Sequence, residues 1–167
     1  MEYAICNIIE HLNRVMPELS TIDEDYGQLE SIDNEDEDGY PLTYPAVLIT
    51  SPEIQWSDVA EHNQKGTVTL TVRLILDCYD DTHAGAGGLA AAKERRDLNR
   101  KLNLALQGYR PLDDGPLVRI SSRHSTYRYG IKVYETTYTM TITDSVPERE
   151  TVGRPRIALH VAALKKI

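Results

Sequence analysis

Two stretches of the chain alternate apolar and polar residues with a period of two. From Thr67 to Tyr79 the even positions are Val68, Leu70, Val72, Leu74, Leu76 and Cys78, all apolar. The odd positions are Thr67, Thr69, Thr71, Arg73, Ile75, Asp77 and Tyr79. From Ile131 to Asp144, Tyr134, Thr136, Tyr138, Met140 and Ile142 take one side and Glu135, Thr137, Thr139, Thr141 and Thr143 the other. Alternation of this kind puts one set on a core and the other on the opposite sheet face. A strand as long as the first runs about 40 Å at roughly 3.3 Å per residue, well beyond the usual length. The second face is rich in threonine and nearly free of Lys and Glu, which suits a surface that another protein covers.

The remaining chain reads as follows. Residues 2–16 carry Ile5, Ile8, Ile9, Leu12, Val15 and Met16 at helical spacing, and Pro17 stops the helix. Residues 20–40 are acidic and poor in apolar anchors, and are expected to be a mobile insert. Pro45–Ile54 is a predicted strand, followed by a polar hairpin loop, Gln55–Gly66, that carries Trp56. A helix is predicted over Leu89–Gln107, with Ala91, Leu98, Leu102, Ala105 and Leu106 on one face and Lys93, Arg96 and Arg100 on another. Gly108 and Pro111 end it. A third strand, about Leu117–Ser122 with a reach to Tyr127, precedes the fourth. The order α-β-β-α-β-β predicts an α+β domain over 1–146: a four-stranded, mostly antiparallel sheet with two helices on one face. Residues 147–167 form a basic and apolar C-terminal tail.

Charge sharpens this picture. The net charge is −8, yet Val15–Gln64 holds no Lys or Arg against thirteen Asp and Glu. Residues 89–110 carry six Lys and Arg against two acids, and 147–167 five against two. Opposed blocks of this kind can set register between identical subunits, or the acidic block can simply confer solubility. Ten tyrosines and no phenylalanine give much of the aromatic content a polar tip, as interfaces favour. No apolar run reaches membrane-spanning length and residues 1–20 carry no signal pattern, so synthesis in the cytoplasm is expected. Cys6 and Cys78 are expected to be buried free thiols.

Five features invite a chemical reading. Gly85–Ala90 fits the dinucleotide-binding glycine spacing, but it falls several residues after its strand, beside Asp80 and Asp81, and leads into an antiparallel pair. A linker into the helix is the better reading. Asn34, Asp36, Asp38 and Gly39 resemble the first half of a calcium loop, yet Pro45 stands where the bidentate Glu belongs. The histidines have no zinc spacing, and Ser121, Ser122, His124 and Ser125 lack a nucleophile elbow and an identifiable orienting acid. The basic helix face invites nucleic acid, which the net charge opposes. The expectation is a non-enzyme that needs no cofactor or metal and binds no nucleic acid by sequence.

The layout resembles the phage tail terminator (tail completion) proteins, also called minor tail or head–tail joining proteins. The N-terminal helix, YPAVLI at Tyr44–Ile49, Trp56-x-Asp58 and Gln64-x-Gly66 carry the resemblance, with LDCYDDT at Leu76–Thr82, LALQG at Leu104–Gly108 and YETTYTMTITD at Tyr134–Asp144. It covers roughly residues 1–146; the acidic insert and the basic tail go beyond it. The resemblance implies a ring, usually a hexamer, that caps the polymerised tail tube and presents a surface to the filled head. Partners would be further copies of itself, the tail tube protein and head–tail connector proteins, in a bacterial host's cytoplasm and then in the virion of the phage or prophage. Candidate contact residues are Trp56, Asp58, Thr69, Thr71, Arg73, Arg96, Arg100, Thr139 and Thr141. A head-side connector or stopper is the alternative, and a small calcium- or ligand-binding module the rival from another class.

Overall fold

The computed structural model describes residues 2–33, 42–60, 63–78 and 88–145. The first helix, α1 (Glu2–Val15), buries Ala4, Ile5, Ile8 and Leu12, and the chain then leaves the helix past Met16 into Pro17. The second helix, α2 (Leu89–Leu106), buries only Leu102 and Leu106. Both lie on the same face of the sheet, because their buried residues share one core with Val68, Leu70, Val72, Leu74, Tyr138, Met140 and Ile142. The helices are tied together at one end. The His11 ring stacks on Tyr109 at 3.9 Å and its Nε2–H donates to the Ala105 carbonyl at 2.9 Å.

The sheet has six strands: β1 (Thr21–Glu24), β2 (Ala46–Ile49), β3 (Glu53–Ala60), β4 (Asn63–Leu76), β5 (Val118–Thr126) and β6 (Lys132–Ser145). Their order is β1-β2-β4-β6-β5, with β3 paired to the first half of β4. The two strands read from alternation pair along their whole length, from Asn63↔Ser145 to Leu76↔Lys132. The expected α+β class and the two helices on one face agree with the structure; the expected four antiparallel strands do not. The sheet is mixed, because β1 runs parallel to β2. A parallel neighbour needs a long crossover, and the chain between Glu24 and Ala46 supplies it.

Two corrections share a physical cause. The segment expected to be a mobile insert contains β1 and a 3-10 turn, Glu30–Asp33, and it is held down where sparse apolar residues reach a second small core. That core lies on the other sheet face, where Leu29 packs with Ala46, Leu48, Ile75, Ile131 and Val133. Gly27, with φ +89°, makes the turn between strand and anchor. Likewise Gln55–Gly66 is not a loop: β3 and the start of β4 extend through it as an antiparallel pair. Its polar residues are those of strands projecting past the core, with solvent on both faces, so the alternation is muted. Residues 34–40 of the expected insert, and the tail 147–167, lie outside the described residues. Cys6 is exposed and Cys78 buried, so the pair of buried thiols is half right.

Tyr138 sits at the centre of the main core, fully buried, and its hydroxyl donates to Asn103 Oδ1 of α2 at 2.7 Å. Burial pushes its pKa up to about 12, with the positive charge of Arg119 working the other way. An unfolded tyrosine ionises near pH 10, so this group favours the folded state fully below pH 10 and the contribution is lost as pH rises through 12. Tyr138→Phe should lose about 1 kcal/mol at neutral pH from the broken hydrogen bond. Its stability should then fall less steeply than that of the native chain between pH 10 and 12 in denaturant titrations; parallel curves would contradict the assignment.

Candidate functional site

The polar face of the sheet is built from cross-strand pairs. Thr67 faces Thr141, Thr69 faces Thr139 and Thr71 faces Thr137, and below them Arg73 faces Glu135. The hydroxyls are used locally. Thr71 Oγ1 and Thr137 Oγ1 lie 3.2 Å apart, Thr139 Oγ1 donates to the Val68 carbonyl at 2.9 Å, and Thr50 Oγ1 accepts the Thr71 amide at 2.9 Å. The result is a stiff surface of methyls and partly satisfied hydroxyls without net charge, suited to a flat contact rather than to gripping a small charged ligand.

Below the threonines on this face lies a concavity of about 570 Å³, bounded by Asp25, Glu30, Arg73, Arg123 and Glu135 with threonine and serine between. Arg73 is its centre. One guanidinium nitrogen donates to Asp25 Oδ2 and another to Glu30 Oε1, both at 2.7 Å. The Arg73 side chain is 13% exposed and that of Asp25 8%. Burial opposes the charge on Arg73, but the hydrogen bonds it donates to Glu30 and Asp25 outweigh that and hold the guanidinium protonated more firmly than in water. Arg123 pairs with Glu135 across β5 and β6. Three carboxylates meet two guanidiniums here, and every one of the five groups is engaged in an ion pair within the chain.

The nine residues expected at a contact thus fall in three places. Thr69, Thr71, Thr139 and Thr141 share the polar face as expected. Arg73 shares it too, and it acts as an internal clamp that fastens the acidic segment to the sheet. Trp56 and Asp58 stand on β3, on the helix side of the projecting strands. Trp56 is 45% exposed and lies over Gly66, its register partner. A Cβ at Gly66 would meet Trp56 Cζ3 at 3.0 Å and Ile142 Cγ1 at 2.8 Å, so the missing side chain is what lets the indole settle on the strand. Arg96 and Arg100 are exposed on α2, where Arg96 pairs with Asp97.

Asp25, Glu30, Arg119, Arg123 and Glu135 were not singled out by sequence reasoning. The usable signal was Arg73 itself: one cation in a run, Thr67–Leu76, that is otherwise apolar or threonine needs an acid, and half of the chain's acids fall in 15–64. Among the described residues no group of three or more His, Cys, Asp and Glu is placed to hold a metal ion. The half calcium loop at Asn34–Gly39 lies outside them, as do the first three residues of the glycine turn at Gly85–Ala90. His124 lies against Tyr134, 6.1 Å between ring centroids, and Ser122 Oγ is 3.4 Å from Thr136 Oγ1; no hydrogen bond joins His124 to the neighbouring serines. No helix among the described residues is long and apolar enough to cross a membrane.

The same fold occurs in a solved chain of the virion of a native gene transfer agent particle. The TM-score is 0.51 at 12% identity, over 83% of this chain and 93% of that one. The similarity is one of fold. No family model and no curated protein matches the sequence.

Arg73→Ala would leave Asp25 buried without its cation, at a cost of about 3 kcal/mol. Limited proteolysis should then cut within Thr21–Asp33, a region protected in the native chain. Unchanged protection would mean that Leu29 alone holds the segment.

Proposed function

We propose that the protein is a structural component of a phage-like particle, a tail terminator that closes the tail tube as a ring and joins it to the head. Support comes first from the fold shared with a virion chain over nearly all of that chain's length. The threonine face and the projecting β3–β4–β6 strands add the surfaces such a role needs: a flat, uncharged face for broad contact and an extension that reaches beyond its own body. On this reading the work is geometric. The protein contributes no catalytic step and needs no cofactor; it assembles in the host cytoplasm and stays in the virion. A hexamer is the ring size implied by the family it resembles.

The test is to add the purified protein to polymerising tail tube protein and image by negative stain. Tubes should stop growing and carry a ring at one end. Tubes of unlimited length with bare ends, and a protein that stays monomeric beside them, would overturn the reading. Trp56→Ala gives a finer check. The half-exposed indole should cost only about 1 kcal/mol of stability, well under the 3–5 kcal/mol of a core aromatic. As a contact anchor worth about 2 kcal/mol, its loss should weaken tube binding roughly thirtyfold. A large fall in melting temperature with unchanged binding would make it a core residue instead.

A further inference from the structure

The two margins of the sheet carry opposite charge and are finished differently. At one margin is β1. Its outward main chain is occupied at Glu24, whose amide donates to Asp23 Oδ1 at 2.8 Å and whose carbonyl accepts from Gln28 Nε2 at 2.7 Å. Main-chain pairing with a further strand is therefore obstructed there. What this margin offers is carboxylates, Asp23 and Glu24 on β1 with Glu2 of α1 nearby. Their combined field is felt at exposed Tyr26, whose hydroxyl donates to Glu24 Oε2 at 2.8 Å and whose pKa is raised by Glu24 first, then by its surroundings, Asp23 and Glu2. No Lys or Arg occurs between Val15 and Gln64 to offset them.

At the other margin is β5, none of whose nine residues is buried. Between its helix-side face and α2 runs a groove of about 380 Å³, with Arg96, Arg100 and Arg119 along it and Leu104 and Gln107 between them. Gln107 Oε1 accepts the Arg119 amide at 3.0 Å and so fixes the groove's wall to the strand. Arg96 is matched by Asp97, whereas neither the Arg100 nor the Arg119 side chain has an ion-pair partner among the described residues. In a chain of net charge −8 this is a local excess of positive charge with apolar Leu104 exposed beside it.

We propose that the α2–β5 groove is the receptor for the acidic β1 margin of a second copy of this chain, so that copies join head to tail by side-chain charge rather than by a continuous sheet. A single chain cannot close this contact on itself, since β1 and β5 end a path of five strands, roughly 19 Å apart at about 4.8 Å per strand. Acidic margin and basic groove are different surfaces, so the contact is heterologous and repeats until a ring closes. The inference rests on the ring reading above and says which surfaces make the ring.

Two full-length variants test it. Arg100→Glu with Arg119→Glu reverses the groove; Glu2→Lys with Glu24→Lys reverses the margin. All four positions are on the surface, and circular dichroism melts verify that each variant folds. Sedimentation of the native chain should show oligomers that weaken as salt rises. Each variant alone should be monomeric, or at least tenfold weaker in association. Mixed in equal amounts they should assemble again, because the reversed margin of one meets the reversed groove of the other while the native margin and groove pair at the alternate contacts. If the native chain is monomeric at every concentration, the ring reading falls and this inference with it. If the native chain assembles but the variants also assemble alone, or stay apart when mixed, the ring stands and this assignment of its surfaces is wrong.

Discussion

The structure depends on one pairing: β4 and β6, in register along all fourteen residues of β4. Every other element attaches to this ladder. β2 and β3 divide one edge of β4 between them, β5 takes the free edge of β6, and the helices pack on the row of Val68, Leu70, Val72, Tyr138 and Met140 that the two strands present together. The pairing also sets what stands on the opposite face, because register decides which side chains oppose each other. Threonine meets threonine three times, then Arg73 meets Glu135, then Ile75 meets Val133. A shift by one residue would send the threonines into the helix core and the leucines to solvent, so the register is strongly enforced.

Polarity changes along that second face in a way that organises the molecule. Its lower end is apolar and covered by the chain itself, through Leu29 and the residues around it. Its middle is ionic and internally paired around Arg73. Its upper end is threonine, and the strands then run on beyond the core. The acidic segment is thus fastened twice, by Leu29 in a small apolar site and by Asp25 and Glu30 on Arg73. Neither fastening is large. Together they convert a stretch with almost no hydrophobic content into a strand and a turn.

How much of this was legible follows from how much of each segment's structure is local. The long strands and both helices were readable because their burial pattern is periodic and each is long enough to show several periods. Four-residue β1 was not readable: its placement rests on distant partners, Pro45 just before β2, Ile49 on β2 and Arg73 on β4, rather than on its own pattern. β3 was missed for a related reason, since a strand with solvent on both sides has no need to alternate. The threonine surface was legible as a face, but its cross-strand partners were not, because alternation assigns faces and leaves the register open. Arg73 was seen on that face but its ion pairs were not, because its two acids come from a segment whose composition suggests mobility. The arginines of the α2–β5 groove were only half seen: Arg96 and Arg100 follow from helical spacing, whereas Arg119 joins them only through the fold.

The projecting strands have a mechanical consequence. Gly66, roofed by Trp56 and Ile142, sits where β4 leaves the body of the protein, and the strands continue from there to Ser57–Lys65 and Ser145. Because β4 and β6 are continuous from the extension to the floor beneath both helices, a pull along the extension loads many ladder bonds at once, in shear. Bonds strained together resist far more force than bonds peeled one after another. Whatever grips the far end of these strands is therefore holding the centre of the molecule, and the extension behaves as a stiff lever rather than as a tether.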